Sequence, residues 1–277
     1  MSATEHVEQV VIGERSASWL RAARGLLDHI ESTQIEAIDR VAESCAAAIA
    51  DDGLVHLFGS GHSRIPLEEM FPRYGSFSGF HPMAELSMTF HTEVVGSNGQ
   101  RQAMYIERVE GLAEVILSNF EFGPSDVMIV FSASGRSAVP IEIAIGARSR
   151  GLEVVAVTSV AESMAAPSGH SSGTRLLDHA DIVIDIGTPP GDALVAVPGL
   201  DTPVGPGSTL ANTAVVNEIK VRVAALLVER GITPAVLTSG SLVGQQRSDE
   251  LFDEAYSDYA RRLARVLLTG RDGGGRS

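Results

Sequence analysis

Cysteine is all but missing from this chain: Cys45 is the only one in 277 residues. A lone thiol cannot close an intramolecular disulfide, so a reducing cytoplasm is the expected location. Cys45 itself sits in ESCAAAIA and reads as a small buried helix residue, not a nucleophile. Long apolar runs are missing as well. Nothing approaches the roughly 18 consecutive apolar residues of a membrane helix. The start, MSATEHVEQVVIGERS, has neither the basic end nor the apolar stretch of a signal peptide. No membrane partner is expected. Basic charge is scarce, with 21 Lys and Arg against 35 Asp and Glu and a net charge of −14. Those cations are scattered, YARRLAR near the end being the one modest cluster, so nucleic acid is not an expected partner. There is no repeat of solenoid period and no linker that would divide the chain into separate domains.

What is present is an ordinary globular balance, 44% hydrophobic and 20% charged, in a chain long enough for a continuous core. Its most informative stretch is VHLFGSGHSR, Val55 to Arg64, where an apolar run breaks at Gly59 into a turn carrying Ser60, Gly61, His62 and Ser63. The design returns in VMIVFSASGRSAVP, Val127 to Pro140, with Ser132, Ser134, Gly135, Arg136 and Ser137. Backbone N–H groups at a Gly/Ser turn that opens a helix form a ready anion site. Such a site needs no cation, so the acidic balance is no obstacle. Two of them in one sheet make a cradle for a phosphorylated small molecule.

The surrounding pattern places both turns. Apolar positions recur every three or four residues from 15 to 50, with Gly25 or the Ser32-Thr33 pair as the break between two helices. Strands are expected at Leu54 to Phe58, Val127 to Phe131, Val154 to Thr158 and Ile182 to Ile186, with a short helix through VPIEIAIGARSRG. Apolar strands alternating with helices predict an α/β fold, a parallel sheet covered on both faces, with the two turns at the carboxyl ends of their strands. Residues 187 to 209, rich in Gly and Pro, read largely as loop. A helix from Leu210 to Arg230 follows, capped by Ser208 or Thr209, and SDELFDEAYSDYARRLARVLL gives a last amphipathic helix. The GRDGGGRS ending reads as disordered.

The succession GSGHS, SASGRS, VVAVTS, ADIVIDIG and a GST-led helix resembles the sugar isomerase (SIS) domain. The resemblance covers residues 35–230 as the phosphosugar-binding domain, with a helical extension over 1–34 and a helix and flexible tail over 231–277. It implies a three-layer α/β/α fold, flavodoxin- or Rossmann-like, and a sugar phosphate as partner. By the same resemblance the hydroxyls of Ser60, Ser63, Ser132, Ser134 and Ser137, with the amides of Gly61, His62, Gly135 and Arg136, would hold the phosphate. A homodimer or homotetramer is also implied. Where heptose-phosphate isomerases carry QExH, this chain has NEIK, Asn217 to Lys220, which keeps Glu218 and loses the histidine. The leading cysteine of a glutaminase is absent. The local wording of HSRIPLEEMFPRYGSF and ERVEGLAEVI is similar to that of the N-acetylmuramic acid 6-phosphate etherases. That similarity puts Glu69, or its neighbour Glu68, and Glu110 or Glu114 at the positions of catalytic carboxylates.

Two carboxyl groups with separated pKa values can serve as base and acid around a sugar. A partly desolvated one, its pKa raised, removes the carbon 2 proton; the other decides whether the oxygen on carbon 3 leaves. Glu69 with Glu110 or Glu114 meets that need, and Glu218 sits among Val215, Val216, Ile219 and Val221, where an acid has little structural excuse. The expected activity is a lyase on an amino-sugar 6-phosphate such as N-acetylglucosamine 6-phosphate. The alternatives are an aldose–ketose isomerase and a non-catalytic sensor. His81, Glu85, His91 and Glu93 lie together in sequence, but Pro82 argues against a helix that would align the first two. Packed histidines are the better account, and neither a metal nor another cofactor is expected.

Overall fold

The structure is a computed structural model and describes residues 8–9, 18–89 and 100–267. His91, Glu93 and the GRDGGGRS ending lie outside the described residues. A short strand, β1 (Glu8–Gln9), precedes two helices, α1 (Ser18–Thr33) and α2 (Ile35–Ala50). The interruption falls at Gln34, while Gly25 stays inside α1 with open space around it. Thr33 and Ser32 hydroxyls donate back to the carbonyls of His29 and Asp28, the local competition by which such residues end helices. Cys45 is fully buried in α2, and burial pushes its thiol up, away from nucleophilic use.

The sheet follows. Strand β2 (Val55–Gly59) leads through a 3₁₀ turn, Gly61–Arg64, into α3 (Ile65–Met70) and then β3 (Phe80–Met83). Helices α4 (Leu86–Thr89), α5 (Gln100–Ile106) and α6 (Leu112–Leu117) lead to β4 (Val127–Phe131). Beyond it come α7 (Ala138–Ser149), β5 (Glu153–Thr158), α8 (Val160–Met164) and β6 (Ile182–Asp185). The five strands pair in the order β3-β2-β4-β5-β6, all parallel. Alternate residues feed two cores. Val55, Leu57, Ile129 and Val157 face α2 and the long helix α9 (Ser208–Glu229), whereas Phe58, Met128, Val130 and Ala156 face α6 and α7. This is the three-layer α/β/α arrangement, and each fully buried Ile or Leu in it stabilises the fold by about 1.5–3 kcal/mol.

Three features depart from the sequence expectations. Strand β3 contains Pro82 and was not expected; a proline is tolerated there because β3 is the sheet edge. The Gly/Pro-rich stretch is not wholly loop, since β7 (Ala193–Ala196) and β8 (Val204–Pro206) pair with each other and β7 pairs with β1. Helix α9 begins at Ser208 with Gly207, not Ser208 or Thr209, at its cap position. The Asp192 carboxylate does the capping from a distance, accepting from the Gly207 and Ser208 amides and the Ser208 hydroxyl. After α10 (Gly240–Val243), α11 (Gln245–Val266) brings its C-terminal half to the segment that enters β2. Its Arg262 donates to the carbonyls of Ile49 and Gly53 and pairs with Asp258, which accepts from Ser78. Among the described residues no helix is long and apolar enough to cross a membrane.

Candidate functional site

The sheet order makes one crevice. From β2 the chain departs to β3 on one side, and from β4 it departs to β5 on the other, so the carboxyl ends of β2 and β4 flank a switch point, where open α/β sheets bind ligands. Gly59 pairs with Phe131 across these strands, which sets Ser60 and Ser132 side by side as the first residues of their turns. Both turns are tight. A Cβ on Gly59 would lie 2.2 Å from the Ser63 carbonyl oxygen, so only glycine lets the 3₁₀ turn fold back. Gly135 has φ of 57°, and a Cβ there would press on the Thr158 hydroxyl at 3.0 Å. The second turn ends at Ser137, the cap position of α7, whose amino end faces the crevice with its positive dipole.

The two turns meet on one side chain. Ser60 Oγ donates to Glu107 Oε2 at 2.8 Å, and Ser137 Oγ donates to Glu107 Oε1 at 3.1 Å. The Glu107 backbone carbonyl accepts from the Val139 amide in the first turn of α7. Glu107 was not among the sequence candidates. It stands three residues before Glu110 in ERVEGLAEVI, follows no motif, and gains its place only through the topology that joins the turns. Within the second turn the Gly135 amide donates to Ser132 Oγ at 3.1 Å and the Arg136 amide to Ser134 Oγ at 3.4 Å. The Arg136 guanidinium pairs with Glu162 at 2.9 Å. His62 and Ser63 lie in the first turn, His62 exposed and Ser63 half-buried.

Of the neighbouring glutamates, Glu69 is turned inward and Glu68 outward, where Glu68 pairs with Arg64 at 2.5 Å. Glu69 Oε1 accepts from Asn217 Nδ2 at 3.0 Å, its other oxygen pairs with Arg73, and its backbone carbonyl accepts from Lys220 Nζ at 2.9 Å. The NEIK segment of α9 is therefore built around Glu69. Burial pushes the Glu69 carboxyl up, but Asn217, Arg73 and Lys220 outweigh it and hold the group below the usual carboxylate range. The raised pKa expected of a desolvated base is absent for that reason. Burial also pushes the Lys220 ammonium down, against the attraction of Glu69. Glu69 opens on a cavity of about 560 Å³ shared with Arg73, Tyr74, Phe252 and Tyr256.

The other sequence candidates point elsewhere. The Glu110 carboxylate accepts from the Ser171 hydroxyl and amide, which hold it below the usual range. Glu114 pairs with Arg150 at 2.7 Å and is lowered by that bond. Glu218 is 44% exposed and pairs with Arg222 at 2.9 Å. The buried stripe of α9 runs through Val215, Val216, Ile219 and Val223, and position 218 falls off it, so the acid has a solvated place after all. His81 is packed, as expected, in the sheet: its Nδ1 lies 2.8 Å from Nδ1 of His56, whose Nε2 meets Asp126 at 3.0 Å.

The family model described as "SIS domain" matches residues 18–159. The UPF0309 protein GK1441 of Geobacillus kaustophilus is 33% identical over 83% of this chain and 91% of its own length. A UPF0309 protein of Streptomyces avermitilis is 34% identical over 87% of this chain and 94% of its own. Among solved structures, the phosphoheptose isomerase of Neisseria gonorrhoeae matches with a TM-score of 0.48 at 15% identity, covering 78% of this chain and 98% of that one. The Vibrio vulnificus NanR protein complexed with ManNAc-6P matches with a TM-score of 0.41 at 15% identity, covering 91% of this chain and 70% of that one. A family model over half the chain, and relatives a third identical along most of it, establish that this chain belongs to the SIS domain family, as a relative of the UPF0309 proteins.

Proposed function

We propose that this protein holds the phosphate of an amino-sugar 6-phosphate between its two serine turns and acts on the sugar as a lyase. One observation carries the reading. Hydroxyls from two turns, one after each of two adjacent strands, converge on the two oxygens of a single carboxylate, that of Glu107. The gap between the turns is thus of the size and polarity of one oxyanion. A phosphate dianion and Glu107 cannot share those hydroxyls, so phosphate binding releases Glu107 from Ser60 and Ser137. Ser63, Ser132 and Ser134, with the amides of Gly61, His62, Gly135 and Arg136, complete the phosphate site, and the amino end of α7 favours its charge.

Glu69 is the base in this reading. Held below the usual range by Asn217, Arg73 and Lys220, it is ionised at neutral pH and takes the carbon 2 proton. The C–H electron pair becomes the second bond between carbons 2 and 3 as the carbon 3 oxygen departs with its bonding pair and takes a proton from the Glu69 carboxyl group, which returns to the carboxylate. Glu107, in place of Glu110 or Glu114, is the second carboxyl group at the turns. The choice of elimination over isomerisation rests on the etherase-like wording around Glu69, and a homodimer or homotetramer on the family resemblance.

Incubation of the protein with hexosamine 6-phosphates in deuterium oxide tests the proposal. The expected result is an unsaturated product that absorbs in the ultraviolet. A deuterium-labelled aldose or ketose with no new chromophore makes the protein an isomerase, and tight binding without exchange makes it a sensor. Failure to bind any hexosamine 6-phosphate overturns the phosphate site itself.

A further inference from the structure

Beside the second turn, three segments distant in sequence bring lone pairs to one point. Glu142 projects from α7, Glu110 from the chain entering α6, and His170 from the loop after α8. His170 Nε2 lies 3.4 Å from Glu142 Oε1 and 4.0 Å from Glu110 Oε2, and the three ligand atoms all fall within 4.8 Å of one another. We propose that Glu110, Glu142 and His170 bind a divalent transition metal ion, zinc or manganese, at a site separate from the serine turns.

The spacing is that of a coordination shell. Metal–ligand bonds of about 2.0–2.2 Å set tetrahedral ligand atoms about 3.3–3.6 Å apart. The Glu142–His170 pair already has this separation, and Glu110 Oε2 stands 4.0 Å from the same His170 nitrogen. Among the described residues neither carboxylate forms an ion pair with Lys or Arg, and the basic side chain they share is the His170 imidazole.

Each ligand is also held by a partner behind it, as metal ligands are. The Gly111 amide donates to Glu142 at 2.9 and 2.8 Å, and the Ser171 amide and hydroxyl hold Glu110. Independently of the carboxylates, His170 Nδ1 lies 2.7 Å from Ser172 Oγ, in a relay that runs through Thr174 Oγ1 to His179 Nε2. The Ser172 amide also donates to Nδ1 at 3.2 Å, so the ring is held from behind with Nε2 facing the two carboxylates. One imidazole and two carboxylates suit zinc and manganese better than the harder calcium or the softer copper(I).

The test uses the full chain stripped with a chelator and titrated calorimetrically with Zn²⁺ and, separately, Mn²⁺. One saturable site per chain is expected for at least one ion, weakened at least about tenfold in His170→Ala and in Glu142→Gln. Circular dichroism and thermal melting show whether each variant is folded. Should both misfold, Co²⁺ bound to the unaltered chain gives the second readout, with visible d–d bands expected for nitrogen and oxygen ligands. No saturable binding of either ion, or binding undiminished in folded variants, overturns the proposal. Neither outcome touches the phosphosugar reading, which is measured with other ligands.

Discussion

At the scale of single residues, the feature that matters most is the one that carries no motif. Glu107 lies between the turns as an internal anion, and its negative charge opposes the phosphate that the turns are shaped to take. Glu107→Gln keeps an acceptor oxygen for a serine hydroxyl and removes the charge. At an effective dielectric near 20, two unit charges about 4 Å apart repel by about 4 kcal/mol, less when screened. We expect Glu107→Gln to bind glucosamine 6-phosphate at least about tenfold more tightly, a change of about 1.4 kcal/mol, by calorimetry. Equal or weaker binding would remove Glu107 from the phosphate's path. Glu69 shows the same lesson from the other side. The sequence points to it and to Glu68 alike, and only the packing of α3 on α9, with Asn217 on its carboxylate, separates the inward from the outward neighbour.

At the scale of elements, the three central strands β2, β4 and β5 are legible because each is a mainly apolar run buried on both faces, and the edge strand β6 because its Ile-Val-Ile run continues the pattern. Strand β3 is not legible, since Pro82 and His81 interrupt it and edge position is a property of the whole sheet. Asp192 is hidden in the same way: it caps α9 from 16 residues before Ser208, and no local signal links a loop acid to a distant helix. Asp192→Ala leaves the Ser208 amide and hydroxyl without their partner, while the Gly207 amide keeps the Asp192 carbonyl, and should cost about 1–2 kcal/mol, read by urea denaturation. A loss below about 0.3 kcal/mol would show that water replaces the cap. The first serine turn is more demanding. Gly59→Ala forces a Cβ against the Ser63 carbonyl and should lower stability by about 1–3 kcal/mol while abolishing measurable phosphosugar binding. Binding that survives unchanged would show that the 3₁₀ turn does not belong to the site.

For the whole molecule, the sheet divides labour between its ends. The carboxyl ends hold the serine turns, and the amino ends hold a buried polar cluster in which Asp126 accepts from Leu54 and Gly123 amides and meets His56, which meets His81. This cluster ties β2, β3 and β4 together and sets how stability responds to acid. Burial, with the neighbouring His56, pushes the His81 imidazole down from 6.5 to about 3. Above pH 6.5 both folded and unfolded chains hold it neutral; as pH falls from 6.5 toward 3, the unfolded chain takes up a proton that the folded one refuses, and stability drops. Asp126 acts in the same direction. Burial raises its carboxyl, but His56 and the two amides more than compensate and hold it low, so its contribution is complete above the ordinary carboxylate range and lost as pH falls through it. The melting temperature should therefore decline steadily below pH 6.5, and His81→Asn should flatten the decline above about pH 4 without removing it below. A flat profile between pH 6.5 and about pH 4 in the unaltered protein would contradict this assignment.

The account as a whole depends on the turns after β2 and β4 acting as one cradle, and a crystal structure of the complex with glucosamine 6-phosphate addresses that most directly. The expected result is a phosphate accepting hydrogen bonds from hydroxyls of both turns, with Glu107 withdrawn from Ser60 and Ser137 and the sugar directed toward Glu69. A sugar phosphate bound elsewhere, with Glu107 still bridging the two serines, would contradict it.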